Sequence, residues 1–351
     1  MLLVFAAGCS APAAEHRKAP ASRASLSLPA MAPATPSPVP HVSSWQPPPV
    51  DPSDGRSAVL TVGFARMRGQ RVAVSGGRDG QVRLWSVPSL EPVGEPFDGV
   101  ESVVVERNGR SALFVIGKDG GRLWDLDTRR ELLRIKGPVS AVTADRERMY
   151  VGDRAGRVTI WDLGGLRELG RLTGDPGRPV TALTVAEEVL SVGVGNFGDE
   201  PGGVDLWDVA ARRKIGEFGA REEAESFNPL QAAVVSGRAV LFGSSMYGLH
   251  SWDLHTRRER SEPLKNLGKA IAAWGFPSFT MAGDVLVTGQ SIGSPIELRD
   301  PATGLVTATL TGATSSTVTA LAARGRLLLS GERDGTVRLW DLVKRRELAG
   351  S

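Results

Sequence analysis

Short stretches in which hydrophobic and polar residues alternate recur along most of the chain. Val139-Ser140-Ala141-Val142 is one example, and this period of two predicts a strand with one buried face. Continuous apolar runs follow such stretches, as in Leu327-Leu328-Leu329-Ser330, and are typical of strands buried on both faces. Asp-Gly turns come next, because glycine allows the positive φ of a tight hairpin, at Asp79-Gly80, Asp119-Gly120 and Asp334-Gly335. The pattern predicts short antiparallel strands.

A tryptophan motif marks the end of the third predicted strand in each of seven units. The seven copies are Leu84-Trp85-Ser86, Leu123-Trp124-Asp125, Ile160-Trp161-Asp162, Leu206-Trp207-Asp208, Ser251-Trp252-Asp253, Leu298-Arg299-Asp300 and Leu339-Trp340-Asp341. Their spacing of 37 to 47 residues is close to the length of a four-stranded propeller blade. We therefore predict an all-β, seven-bladed β-propeller of four-stranded antiparallel blades, with six or eight blades as the alternatives, in which the six tryptophans are structural anchors.

The fourth predicted strand of each unit is amphipathic and basic. Arg129-Arg130-Glu131-Leu132-Leu133 and Arg345-Arg346-Glu347-Leu348 are two examples. Charge suits an outermost strand because it discourages pairing with the edge of another sheet.

The segment from Ser330 to Asp341 reads Ser-Gly-Glu-Arg-Asp-Gly-Thr-Val-Arg-Leu-Trp-Asp and resembles the repeat core of the WD-repeat β-propeller family, here of bacterial type. The resemblance covers residues 57–351. The Gly-His pair of the family is absent from every unit, so its usual His–Asp–Ser–Trp hydrogen-bond network is not expected. Asp, Ser and Trp remain in units one and seven, and Arg299 replaces the tryptophan of the sixth unit.

The N-terminal region has a different composition. Residues 10–56 hold 11 of the 23 prolines among Ala and Ser and predict a disordered, Pro-rich linker. Residues 1–9 end in Ala6-Ala7-Gly8-Cys9, which resembles the processing box of bacterial lipoproteins, although no Lys or Arg precedes Cys9. Lipidation at Cys9 would place the propeller of residues 57–351 in the cell envelope. The alternative is an apolar N-terminus with an incidental cysteine on a cytoplasmic protein.

Charge and motif content exclude several classes of function. Lys and Arg number 42 against 39 Asp and Glu, so the net charge of +3 gives no nucleic-acid footprint. The single cysteine excludes an intramolecular disulfide and a multi-cysteine metal site. Gly289-Gln290-Ser291-Ile292-Gly293 spells a nucleophile elbow, but it lies in a predicted hairpin without the required strand–turn–helix context. We predict no catalytic residues, no metal and no cofactor.

The turns between the second and third strands supply the candidate binding surface, because such turns share one face of a propeller. Units one, two, three and seven carry mainly charged turn residues, namely Arg78, Asp79, Lys118, Asp119, Arg154, Arg333 and Asp334. Units four, five and six carry Phe197, Met246, Tyr247 and Ile292. Aromatic and Met side chains beside arginines are typical of protein or peptide recognition. The alternative is that these side chains pack over their own loops.

The family resemblance implies a noncatalytic, monomeric scaffold that binds a protein or peptide, with membrane attachment only through Cys9. Two alternatives remain. One is an envelope-associated enzyme or ligand-binding propeller that uses the central channel. The other is a sensory propeller from a larger signalling protein.

Overall fold

The structure is a computed structural model that describes residues 57–174, 177–195, 202–219, 227–245, 248–260, 278–289, 295–312, 314 and 316–351. These residues form 28 β-strands and no helix. Within them, no helix of the length and apolarity required to cross a membrane occurs. The predicted signal, the predicted linker and Cys9 lie outside the described residues.

The strands form seven four-stranded antiparallel sheets, and each sheet consists of four strands consecutive in sequence. Blades 1 to 4 comprise β1 (Val59–Met67), β2 (Gln70–Gly77), β3 (Gln81–Ser86), β4 (Phe97–Asp98), β5 (Glu101–Arg107), β6 (Arg110–Gly117), β7 (Gly120–Asp125), β8 (Glu131–Lys136), β9 (Val139–Ala144), β10 (Arg148–Asp153), β11 (Arg157–Asp162), β12 (Arg167–Thr173), β13 (Val180–Ala186), β14 (Val189–Val194), β15 (Gly203–Asp208) and β16 (Arg213–Phe218).

Blades 5 to 7 comprise β17 (Leu230–Val235), β18 (Arg238–Ser245), β19 (Gly248–Asp253), β20 (Arg258–Glu259), β21 (Phe279–Ala282), β22 (Val285–Thr288), β23 (Glu297–Arg299), β24 (Val306–Thr309), β25 (Val318–Arg324), β26 (Leu327–Glu332), β27 (Val337–Asp341) and β28 (Arg346–Gly350). First strands of neighbouring blades contact one another, and fourth strands lie outside. The predicted seven-bladed propeller is confirmed.

The hydrophobic core is divided among the interfaces between blades. Seven clusters of buried side chains each join two consecutive blades around the ring. Second strands such as β26 are buried along their whole length because both of their faces meet a neighbour. This arrangement explains why the second strand of a unit is a continuous apolar run.

Blades 1 and 7 close the ring without exchanging a strand, since each is built from one continuous segment. Val59 and Phe64 of blade 1 pack in one cluster with Leu329 of blade 7. The Thr319 hydroxyl also donates a hydrogen bond of 2.5 Å to the Val59 carbonyl oxygen. Closure therefore depends on side-chain packing and on this hydrogen bond.

Hydroxyl groups on the first strands link other neighbouring blades in the same way. Ser140 donates to the Val180 carbonyl oxygen at 2.7 Å, and Ser278 donates to the Val318 carbonyl oxygen at 3.0 Å. Thr181 makes the corresponding bond of 3.0 Å to the next blade. Together with the Thr319 bond, these contacts link blades 3 and 4, 4 and 5, 6 and 7, and 7 and 1.

The aspartate of the Trp-Asp motif shapes the turn into the fourth strand. The Asp125 carboxylate accepts a 2.8 Å hydrogen bond from the Thr128 N–H, and Arg129 then adopts a φ of +56°. Arg129 lies in this turn rather than in β8, and Arg345 likewise precedes β28. The observed fourth strands therefore begin later in the chain than the sequence predicts, at Glu131 and Arg346. Arg129 bonds the Glu95 carbonyl oxygen of the preceding blade and stacks 4.1 Å above the Phe97 ring. It therefore joins two blades, in addition to any role as an edge charge.

Candidate functional site

The six anchor tryptophans all lie on third strands, and two of them retain part of the family network. Trp85 Nε1 donates to Ser75 Oγ at 2.8 Å, and Trp340 Nε1 donates to Ser330 Oγ at 2.9 Å. These bonds lie in blades 1 and 7, the two units in which the sequence keeps both the serine and the tryptophan of the network.

Arg299 takes the place of the tryptophan in blade 6. Its Nε donates to Thr288 Oγ1 at 3.2 Å, and Thr288 occupies the register position that Ser75 has in blade 1. Arg299 also donates to the Gly304 carbonyl oxygen at 2.8 Å and pairs with Glu297. The arginine thus reproduces the indole-to-hydroxyl hydrogen bond, and blade 6 keeps its fold.

The residue two positions before each anchor lies on the same side of its strand and enters the interface between blades. It is ionisable in six of the seven blades, where the set is Arg83, Arg122, Asp205, His250, Glu297 and Arg338. Asp205 pairs with Lys214 at 2.8 Å, and Arg338 pairs with Glu332 at 2.7 Å. In blade 3 the residue is Thr159.

Asp205 lies close in sequence to Asp199 and Glu200, a spacing that would suit an enlarged acidic turn. In the structure, however, Asp205 is a buried residue of β15. Asp199 and Glu200 lie outside the described residues. Among the described residues, no group of three or more His, Cys, Asp or Glu side chains could hold a metal ion.

The turns between second and third strands lie beside the connections to the next blade, and together they form what we call the upper face. Backbone hydrogen bonds show this proximity: the Gly99 N–H donates to the Gly80 carbonyl oxygen at 2.9 Å, and the Gly137 N–H donates to the Asp119 carbonyl oxygen at 3.3 Å. The predicted sharing of one face by these segments is confirmed for blades 1 and 2.

The described part of the upper face presents cations on three consecutive blades. Arg78, Lys118 and Arg154 are exposed at corresponding turns of blades 1, 2 and 3. Two of the nearby carboxylates are held within their own blades, since Asp79 pairs with Arg83 at 2.6 Å and Asp153 pairs with Arg157 at 2.8 Å. Asp119 is exposed beside Lys118, so this part of the upper face is a charged surface.

The structure describes only part of the predicted contact set. Arg78 is exposed and Arg333 is half-buried, in the corresponding turns of neighbouring blades 1 and 7. The remaining members, Phe197, Met246, Tyr247 and Ile292, lie outside the described residues. The predicted aromatic sector stays a prediction.

Glu101 is a carboxylate that the sequence reasoning missed. It begins β5, a first strand of the ring, directly after the connection on the upper face. Burial raises the pKa of Glu101 above the ordinary value of a glutamate. Only the fold places this carboxyl in a partly desolvated position, so no motif could have revealed it.

Glu101→Gln is expected to raise the free energy of unfolding at neutral pH. Because the folded pKa is raised, the folded protein holds the proton more tightly than the unfolded chain does. Protonated Glu101 therefore stabilises the folded state. This stabilisation is complete below the unfolded pKa of about 4.3 and is lost as pH rises through the folded pKa. Urea unfolding at several pH values should show a gain at pH 7 that shrinks on acidification. Glu147→Gln, at an exposed site, is the control; an equal gain at every pH would contradict the prediction.

Comparison with known proteins agrees with this architecture. The family model described as "WD domain, G-beta repeat" matches residues 304–341, which span the fourth strand of blade 6 and the first three strands of blade 7. No curated protein matches the chain. The crystal structure of the computationally designed Ika8 protein is similar in fold, with 19% sequence identity, coverage of 82% of this chain and 96% of that chain, and a TM-score of 0.53. The chain is therefore a seven-bladed β-propeller that carries a WD repeat at residues 304–341.

Proposed function

We propose that this propeller is a noncatalytic interaction module that binds a protein or peptide partner on its upper face. WD-repeat propellers commonly act as protein-interaction scaffolds, and this fold brings turns of successive blades together on one ring of seven sheets. The observation that carries the proposal is the row of exposed turn cations at Arg78, Lys118 and Arg154 on three consecutive blades.

Site-specific crosslinking in the native host tests this proposal. A photoreactive amino acid at position 78 or 118 should capture a partner, whereas the same group at position 130, just before β8, or at position 213, on the outer strand β16, should not. Arg130 and Arg213 are exposed, so the control positions are equally accessible. Capture only from the outer positions would contradict an upper-face contact.

The predicted aromatic sector of Phe197, Met246, Tyr247 and Ile292 can be tested quantitatively once a partner has been captured. Tyr247→Ala or Phe197→Ala should each cost about 2 kcal/mol of binding free energy, roughly thirtyfold in affinity, because buried aromatic anchors dominate interfaces. Isothermal titration calorimetry measures this loss.

Arg130→Ala and Arg346→Ala are the matched controls, since both remove exposed charge outside the upper face, at or just before a fourth strand. Their effect on affinity at physiological ionic strength should be small. If the outer substitutions abolished binding and the turn substitutions left it intact, the contact would lie on the rim of the ring.

A further inference from the structure

A groove of about 270 Å³ opens between blades 2 and 3. We call it the blade 2–3 groove; Ile135, Val151 and Trp161 form its apolar part. Charged side chains of β8, β10, β11 and β12 complete the lining. Its volume approaches the lower end of the range found for small-ligand sites, about 300 Å³.

The corresponding space between blades 3 and 4 is almost filled. The cavity there is about 10 Å³, with Leu172 and Arg178 in its lining, and both side chains are buried. Residues 174–179 connect these two blades, whereas only residues 137–138 connect blades 2 and 3. The short connection therefore leaves the blade 2–3 groove open.

Trp161 has an unsatisfied polar atom at this groove. Its Nε1 is buried and has no hydrogen-bond partner. The hydroxyl that accepts this bond in blades 1 and 7 is missing, because Val151 occupies the register position of Ser75 and Ser330. A buried donor without an acceptor costs free energy, so a ligand that brings an acceptor would recover it.

The charge of the lining favours an anionic ligand. Four cations line the groove, Arg134, Lys136, Arg157 and Arg171, against the two carboxylates of Asp153 and Glu168. Arg134, Arg157 and Arg171 pair with Glu131, Asp153 and Glu168 at 2.7 to 2.8 Å. Their side chains are each more than half exposed, so these surface ion pairs are weak and the arginines can exchange them for a ligand carboxylate.

We infer that the blade 2–3 groove binds a carboxylate side chain of an acidic peptide. The carboxylate accepts the Trp161 Nε1–H and charge-assisted hydrogen bonds from the arginines, while its aliphatic stem packs on Ile135 and Val151. The site is separate from the turn contact of the proposed function and does not depend on it.

Indole resonances of the full chain labelled with ¹⁵N-tryptophan provide the test. Titration with acetyl-hexaglutamate amide should move the Trp161 indole signal, which is assigned by its absence in Trp161→Phe, in a saturable way. The Trp207 indole, at the filled space between blades 3 and 4, should stay in place. The uncharged probe acetyl-hexaglutamine amide should produce no saturable shift.

The combined variant Arg157→Gln and Arg171→Gln should weaken binding of the hexaglutamate probe at least about tenfold. Arg213→Gln with Arg346→Gln is the matched control and should leave affinity unchanged, because these exposed arginines lie on other blades. The other indole signals report that each variant remains folded.

An unmoved Trp161 signal at millimolar hexaglutamate would overturn the inference, and so would an equal shift with hexaglutamine. The same holds if other indoles shift and Trp161 does not. Failure of upper-face crosslinking would leave this titration unaffected, so the two proposals fail separately.

Discussion

Trp340→Ala is expected to lower the free energy of unfolding by about 3 to 5 kcal/mol. Trp340 is fully buried in the cluster that joins blades 6 and 7, where it packs with Val287 and Leu328. Alanine would leave a cavity in this interface, and it would also leave the buried Ser330 hydroxyl without the indole donor. Urea unfolding followed by circular dichroism measures the loss.

Trp340→Phe separates the two causes, because phenylalanine keeps most of the ring volume and removes only the hydrogen bond to Ser330. Its cost should be clearly smaller. Trp45→Ala should have almost no effect if residues 10–56 form a linker, as the sequence predicts. Equal losses for Trp45→Ala and Trp340→Ala would contradict the linker assignment.

Arg338→Ala should also cost about 3 to 5 kcal/mol, because it removes one member of a buried ion pair. The Glu332 side chain is 0% exposed, and Arg338 Nε lies 2.7 Å from its Oε1. Arg338 Nη1 also lies 3.1 Å from Glu347 Oε1. Without the guanidinium, the Glu332 carboxylate would lose its main compensating charge in a site that excludes water.

A double variant provides the control for this prediction. Glu332→Gln combined with Arg338→Met removes both charges, so it should be much less destabilising than Arg338→Ala alone. Arg346→Ala, at an exposed site in the same blade, should have little effect. An Arg338→Ala loss as small as that of Arg346→Ala would show that Glu332 does not depend on Arg338.

Local sequence patterns predicted the blades well but did not predict how blades meet. The Trp-Asp motif marks the end of a third strand because the aspartate caps the turn that follows it, as Asp125 does for Thr128. That signal is contained within a few residues. Arg299 departs from the motif, and only its contact with Thr288 shows that a guanidinium can replace the indole donor.

The candidate surface was predictable only in part. Turn positions such as Arg78 follow from the hairpin pattern, and their exposure agrees with that reading. The raised pKa of Glu101 has no local signature, because it results from burial at the connection between two blades. The unpaired Trp161 Nε1 likewise depends on Val151, which lies on the adjacent strand.

The sequence by itself determined the strand period and the repeat phase, since alternation of side chains and turn chemistry act within a single hairpin. It predicted seven blades with six or eight as alternatives, and the structure fixed the number at seven. Only the tertiary structure decided how the ring closes and which interface stays open. Thr319 bonds Val59 across 260 positions of sequence, and the blade 2–3 groove exists because a two-residue connection fails to fill it. Such features depend on the packing of side chains from separate blades, and no pattern within one repeat specifies that packing.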